Sequence, residues 1–170
     1  MEKMTETFPL DGKDIGSIPV PHDCMIREIR EEDEYLVLDF DEDSLLDDDS
    51  IQSIHPGARK LIMRFHLVWY GLDGAKAYGG ILGIYQYRRK KRHEGYMPVK
   101  NLRNLIKNSK CDVSYLNHFV AYHQAILELY GNDSILLMLW ADAVKFQWSI
   151  EQPNKEESQG SRIDGGSVQA

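Results

Sequence analysis

Along the middle of the chain, hydrophobic residues recur at every second position. In the segment 61–70 one parity carries Leu61, Met63, Phe65, Leu67 and Trp69, while the other includes Arg64 and His66. Successive side chains of a pleated backbone point to opposite faces, so this alternation predicts a strand with one wholly buried side. Segment 35–40 repeats the pattern, with Leu36, Leu38 and Phe40 on one side and Tyr35, Val37 and Asp39 on the other. Segment 24–30 precedes it, and the charged residues at 31–34 predict a hairpin turn between the two.

Gly71-Leu72-Asp73-Gly74 supplies the positive-φ residues of a chain reversal, so 77–87 is expected to run back beside 61–70. Pro98, followed by Leu102, Leu105 and Ile106 at helical spacing, predicts one short helix near 98–108. Between 113 and 131 two periods compete. Leu116, Phe119, Val120, His123 and Leu127 form a helical stripe, yet the branched and aromatic residues suit strands equally. The turn chemistry of Gly131-Asn132-Asp133-Ser134, ahead of two further apolar segments at 135–140 and 143–150, favours strands, with 124–130 as the hairpin partner of 135–140.

The expected fold is mainly β (or α+β): an antiparallel sheet, sandwich or barrel-like, with the one short helix near 98–108. Residues 21–152 are expected to form a single compact domain behind an extended lead-in at 1–20. Residues 153–170 contain no aromatic side chain and three glycines, which predicts a flexible tail.

Composition narrows the class without choosing a function. The chain has 170 residues, 42% apolar and 28% charged, in the range of ordinary globular domains. Its longest purely apolar run, from Ile135 to Ala141, covers seven residues, whereas a membrane-spanning helix needs about 20. No secretory or transit pattern opens the sequence, and Cys24 and Cys111 are its only cysteines, too few for a disulfide framework. A cytoplasmic protein with reduced thiols and no membrane partner is expected.

Motifs for known chemistry are missing. Gly79, Gly80 and Gly83 have neither the spacing nor the following helix of a phosphate loop. The run from Asp39 to Asp43 resembles the start of a calcium loop but puts Ser44 and Ser50 where Gly and a bidentate Glu are required. His22 with Cys24, and His118 with His123, lack the further ligands and spacing of a zinc site. No nucleophile elbow is present, so no catalytic residue, metal site or cofactor is expected. An enzyme assembled only in space, around His22, His66 or His123, is the third functional reading.

Charge is where the chain is most uneven. The 27 carboxylates and 20 cations leave a formal charge of −7, yet twelve of those carboxylates fall between positions 28 and 49. Asp39, Asp41, Glu42, Asp43, Asp47, Asp48 and Asp49 bracket Leu45 and Leu46. An acidic loop of this kind, with two exposed leucines as apolar anchor, would steer and orient a strongly basic protein. The leading expectation is therefore a non-enzymatic binding protein, most concretely an immunity or antitoxin-type inhibitor of a basic toxin or nuclease. The opposite pole is Arg88, Arg89, Lys90, Lys91 and Arg92, with Tyr87 beside it. Aromatic rings beside phosphate-binding cations make nucleic acid the alternative partner, and a second copy of the chain is a third.

Overall fold

The computed structural model describes residues 1–13, 15–68, 81–88, 91–93, 112–131 and 134–151; for 81–88 and 91–93 the description is of the backbone. The strands are β1 (Glu2–Pro9), β2 (Cys24–Glu32), β3 (Tyr35–Phe40), β4 (Ala58–Leu67), β5 (Ile81–Arg88), β6 (Lys91–His93), β7 (Ser114–Ala121), β8 (Gln124–Tyr130) and β9 (Ser134–Ile150). Two short helices, α1 (Glu42–Leu46) and α2 (Asp49–Ile54), connect β3 to β4. The protein is thus mostly β, as the alternating pattern predicts. The expected helix near 98–108, the turn at 71–74 and the tail at 153–170 lie outside the described residues.

All strand pairings among the described residues are antiparallel. Following hydrogen bonds from β9 through β4, β3, β2, β7 and β8 returns to β9, which closes a six-stranded barrel. Closure removes the open edges that an isolated sheet would present. The interior is filled by the alternating residues of each strand: Leu36, Leu38, Leu61, Met63, Phe65, Leu127, Leu129, Leu137, Leu139 and Phe146 are all fully buried. The β2–β7 seam is narrow, pairing only Cys24 with Tyr115 and Met25 with Ser114. Backbone bonds from Asp23 N to Tyr115 O and from Ile26 N to Val113 O, both 2.8 Å, lengthen it.

β9 organises the rest. One of its edges pairs with β1 over residues 143–150 and with β8 over 134–140; the other pairs with β4 over 141–150 and with β5 over 134–139. The sequence separates 135–140 from 143–150 at Asp142, but they form one strand of 17 residues. Asp142 is a bulge, standing between Ala141, opposite Leu67, and Ala143, opposite His66. The extra residue shifts the buried parity from Ile135, Leu137, Leu139 and Ala141 to Val144, Phe146 and Trp148. Leu10 N donates to the Asp142 carbonyl at 2.7 Å, satisfying an acceptor at the bulge.

The expectation that 77–87 runs back beside 61–70 is corrected. β4 and β5 run in the same direction, end to end along one edge of β9. Glycines permit a reversal, but the edge a strand occupies is decided by long-range pairing that local turn chemistry does not encode. Within the lead-in expected at 1–20, residues 2–9 are extended and paired with β9 along their whole length.

One hairpin turn falls within the charged segment 31–34, as expected, and a second forms at Tyr122 and His123, which no turn chemistry in the sequence marks. Asp33 and Glu34 turn β2 into β3, with Asp33 at φ 52°, and Tyr122 and His123 turn β7 into β8, with His123 at φ 54°. Strand is the outcome for 124–130, paired with β9 from Gln124↔Trp140 to Tyr130↔Ser134.

Candidate functional site: an acidic corner

The residues expected to form an acidic loop build a helical corner instead, and its carboxylates divide into two groups. Asp41 caps α1, its side chain accepting from Asp43 N at 3.0 Å and Ser44 N at 3.4 Å. Asp48 caps α2, accepting from Ser50 N at 2.9 Å and Ile51 N at 3.2 Å. Each satisfies backbone donors that a helix start leaves without intrahelical partners. The other oxygen of Asp48 accepts from the Cys24 thiol at 3.3 Å. That thiol is fully buried, and burial together with the Asp48 carboxylate pushes its pKa far above the ordinary value, so it packs as an unreactive apolar group.

Asp39 does not belong to the surface. It stands in β3, 5% exposed, and its carboxylate accepts from Arg27 Nη2 at 2.7 Å. Leu45 is corrected as well: expected to be exposed, it is fully buried together with Ile51, because each is the inward position of a one-turn helix laid over the barrel end. Leu46 is half-buried. The exposed apolar side chain of the corner is Ile54, at the end of α2, 49% exposed.

Glu42, Asp43, Asp47 and Asp49 are exposed. Glu42 lies 3.7 Å from Arg59 Nη1, while Asp43, Asp47 and Asp49 have no ion-pair partner among the described residues. The corner is tied down at several points. Gln52 Nε2 donates to the Leu45 and Ala58 carbonyls at 2.9 and 3.1 Å, and Met25 N donates to Ser44 Oγ at 2.9 Å. Gly57 then turns the chain at φ 81°, and Glu151 N donates to its carbonyl at 2.8 Å. Three charges with no ion-pair partner among the described residues therefore project from a braced base.

The basic block occupies the other end of the molecule. Arg88 pairs with Lys91 and Tyr87 with Arg92 in the β5–β6 hairpin, and Tyr87 also pairs with Ser134 at the start of β9. Arg89 and Lys90 lie outside the described residues. The acidic corner adjoins the opposite terminus of β9, where Ala58 pairs with Ile150. The two charge clusters thus adjoin opposite termini of the 17-residue β9.

The histidines fall in separate places. His22 is exposed beside Asp23. His118 is buried, its Nδ1 2.8 Å from the Tyr115 hydroxyl, and burial lowers its pKa to about 4, which keeps the ring neutral. His123 stacks on Tyr122 with ring centroids 4.0 Å apart. His66 is held between two carboxylates, Asp142 Oδ1 at 2.6 Å from Nδ1 and Glu34 Oε2 at 3.4 Å from Nε2. The Asp142 hydrogen bond raises its pKa above the ordinary value against an opposing effect of burial. Among the described residues, no group of three or more His, Cys, Asp and Glu is arranged to hold a metal ion. No helix there is long and apolar enough to cross a membrane.

Two clusters escape sequence reasoning. Glu34, His66 and Asp142 meet only because the Asp142 bulge places that residue beside β4. Glu6 Oε2 accepts from His55 Nε2 at 2.9 Å and from Trp148 Nε1 at 2.8 Å, joining β1, α2 and β9. The period-two placement of Glu6 among Met4 and Phe8 was the one available signal, since it puts a carboxylate on the inward face. Comparison with protein families, curated proteins and solved structures finds no match to this chain.

Proposed function

We propose that this protein is a non-enzymatic, cytoplasmic binding protein that receives a basic partner on the acidic corner of α1 and α2, as an immunity or antitoxin-type inhibitor of a basic toxin or nuclease. The observation that carries the reading is the set Asp43, Asp47 and Asp49: exposed, without ion-pair partners among the described residues, and mounted on capped helices braced against a closed barrel. Fixed charges of one sign steer an oppositely charged protein and set its orientation. Ile54 supplies an apolar contact at the end of α2, the role first expected of Leu45 and Leu46.

The division of the carboxylates dictates the experiment. Neutralising Asp41 or Asp48 would damage the helix caps, so the informative variant is Asp43→Asn with Asp47→Asn and Asp49→Asn. Calorimetric titration with a strongly basic nuclease as the probe is expected to show binding that weakens at least tenfold in the triple variant and weakens with salt in the wild type. Equal affinity of the two proteins would refute the proposal.

A further inference from the structure

We infer that the outer face of β1, β9 and β4 is a self-association surface, and that it takes the acidic corner of a second copy of this chain. The inference rests on the proposed function only in reading the corner as a protein-binding surface, and it adds what covers that surface before a basic partner arrives. Directly paired residues of antiparallel strands share a face. Lys3, Ser149 and Lys60 form one cross-strand row, Thr5, Gln147 and Ile62 the next, and Thr7, Lys145 and Arg64 the third. Their neighbours Leu61, Met63, Val144, Phe146 and Trp148 point inward and are buried, so the three rows lie outside the barrel. No carboxylate stands in any of them, although the chain carries 27 acidic and 20 basic side chains.

Part of this positive charge has no counter-charge beside it. Arg64 and Lys145 are directly paired, and like charges so placed destabilise a sheet. Glu32 lies 2.8 Å from Arg64 Nη2, whereas Lys145 Nζ donates to the Tyr35 hydroxyl at 3.0 Å. Lys3, Lys60 and Lys145 have no ion-pair partner among the described residues. The corner offers the complement. Asp43, Asp47 and Asp49 are equally without partners there, and the exposed Ile54 matches Ile62, which stands in the middle row of the face. Corner and face share a border at Arg59, which approaches Glu42 on α1 to 3.7 Å and is adjacent to Lys60. Two surfaces of opposite sign that meet along a border are exchanged by one two-fold rotation, so each copy's carboxylates face the other's lysines and the dimer closes. A nucleic acid fits this face less well, because its rows carry no aromatic ring for a base and the adjoining carboxylates repel phosphate.

The test is sedimentation equilibrium of the full chain at rising protein concentration and two ionic strengths. At about 10 mM salt, where charges act over about 30 Å, the mean mass is expected to rise above the 19.6 kDa of one chain toward twice that value. At about 1 M salt, where they act over about 3 Å, the protein is expected to be monomeric. Lys3→Glu with Lys60→Glu and Lys145→Glu should abolish self-association at low salt, and so should Asp43→Lys with Asp47→Lys and Asp49→Lys. Combining all these substitutions in one chain restores the wild-type net charge and both complementary surfaces, and should restore the dimer. Melting curves measured in parallel show that each variant folds. A wild type that is monomeric at every concentration in low salt, association indifferent to the lysine substitutions, or a folded combined variant that stays monomeric would each overturn the inference. So would loss of the dimer in Phe119→Ala with Tyr130→Ala, which would place the contact on β7 and β8. The nuclease titration separates this inference from the proposed function. The lysine substitutions leave the corner intact, so that variant should bind the nuclease at least as tightly as the wild type while remaining monomeric. Nuclease binding by a wild type that never self-associates would overturn the dimer alone.

Discussion

Replacing Asp48 by alanine should destabilise the protein far more than the same change at its neighbour Asp49, although both are carboxylates at the start of one short helix. In the wild type, Asp48 Oδ1 accepts from Ser50 N, Ile51 N and Ser50 Oγ, and Oδ2 accepts from the buried Cys24 thiol. Loss of an N-cap of this type costs about 1 kcal/mol. The thiol, fully buried, loses an acceptor as well, which adds about 0.5 kcal/mol, the low end for a hydrogen bond. A total of about 1.5 kcal/mol corresponds to a fall in melting temperature of about 3–6 °C for a chain of this size. Asp48→Asn keeps an oxygen at the cap and should stay within about 0.5 kcal/mol of wild type, as should Asp49→Ala, whose side chain is exposed. Urea denaturation followed by tryptophan fluorescence measures all three, since Trp148 is buried and reports loss of the barrel interior. Equal destabilisation by Asp48→Ala and Asp49→Ala, or none by either, would refute the division of the acidic corner into caps and free charges.

Three further outcomes follow from the structure. His118 has a folded pKa of about 4 and an unfolded value near 6.5, so its contribution is intact above pH 6.5 and declines as the unfolded chain takes up a proton that the folded chain refuses. About 2 kcal/mol should be lost from this group between pH 7.5 and pH 5, and denaturation of His118→Leu across that range should show correspondingly less loss than wild type. His66 has the opposite sign: its raised pKa gives stability that is complete below the unfolded value and disappears as pH rises through the folded one, and nuclear magnetic resonance titration of its ring should show Asp142→Asn lowering that pKa. Gly57→Ala should cost more than about 1 kcal/mol by thermal melting, because a β-carbon would meet the Glu151 carbonyl oxygen at 2.6 Å on a residue at φ +81°; a melting curve equal to wild type would contradict the close approach.

Much of the barrel is legible in single strands and little of it in their arrangement. Leu61, Met63 and Phe65, or Leu36, Leu38 and Phe40, announce an inward face because period two is a local property of the chain. The partner of a strand is not local. β5 follows a glycine-rich segment and pairs with β9 rather than β4, and β9 reads as two segments because the Asp142 bulge changes its inward parity midway. At the candidate site, composition locates the acidic segment, but the role of each carboxylate depends on geometry. Asp41 and Asp48 are consumed by helix starts, Asp39 by Arg27, and Leu45 by the core, whereas Asp43, Asp47 and Asp49 are left to solvent. The Asp-x-x-Ser and Asp-x-x-Ile spacings around Ser44 and Ile51 are capping signals in retrospect, obscured in the sequence by the neighbouring acids that share their residue type.

The central claim is that Asp43, Asp47 and Asp49 steer a basic partner onto a rigid corner. Its most direct test is the association rate of that partner as a function of ionic strength, for the wild type and for Asp43→Asn with Asp47→Asn and Asp49→Asn. Electrostatic steering predicts a wild-type rate that falls steeply with added salt, and a variant rate at least tenfold lower at low salt with little remaining dependence, at unchanged melting temperature. A variant that associates as fast as the wild type, with the same salt dependence, would contradict it.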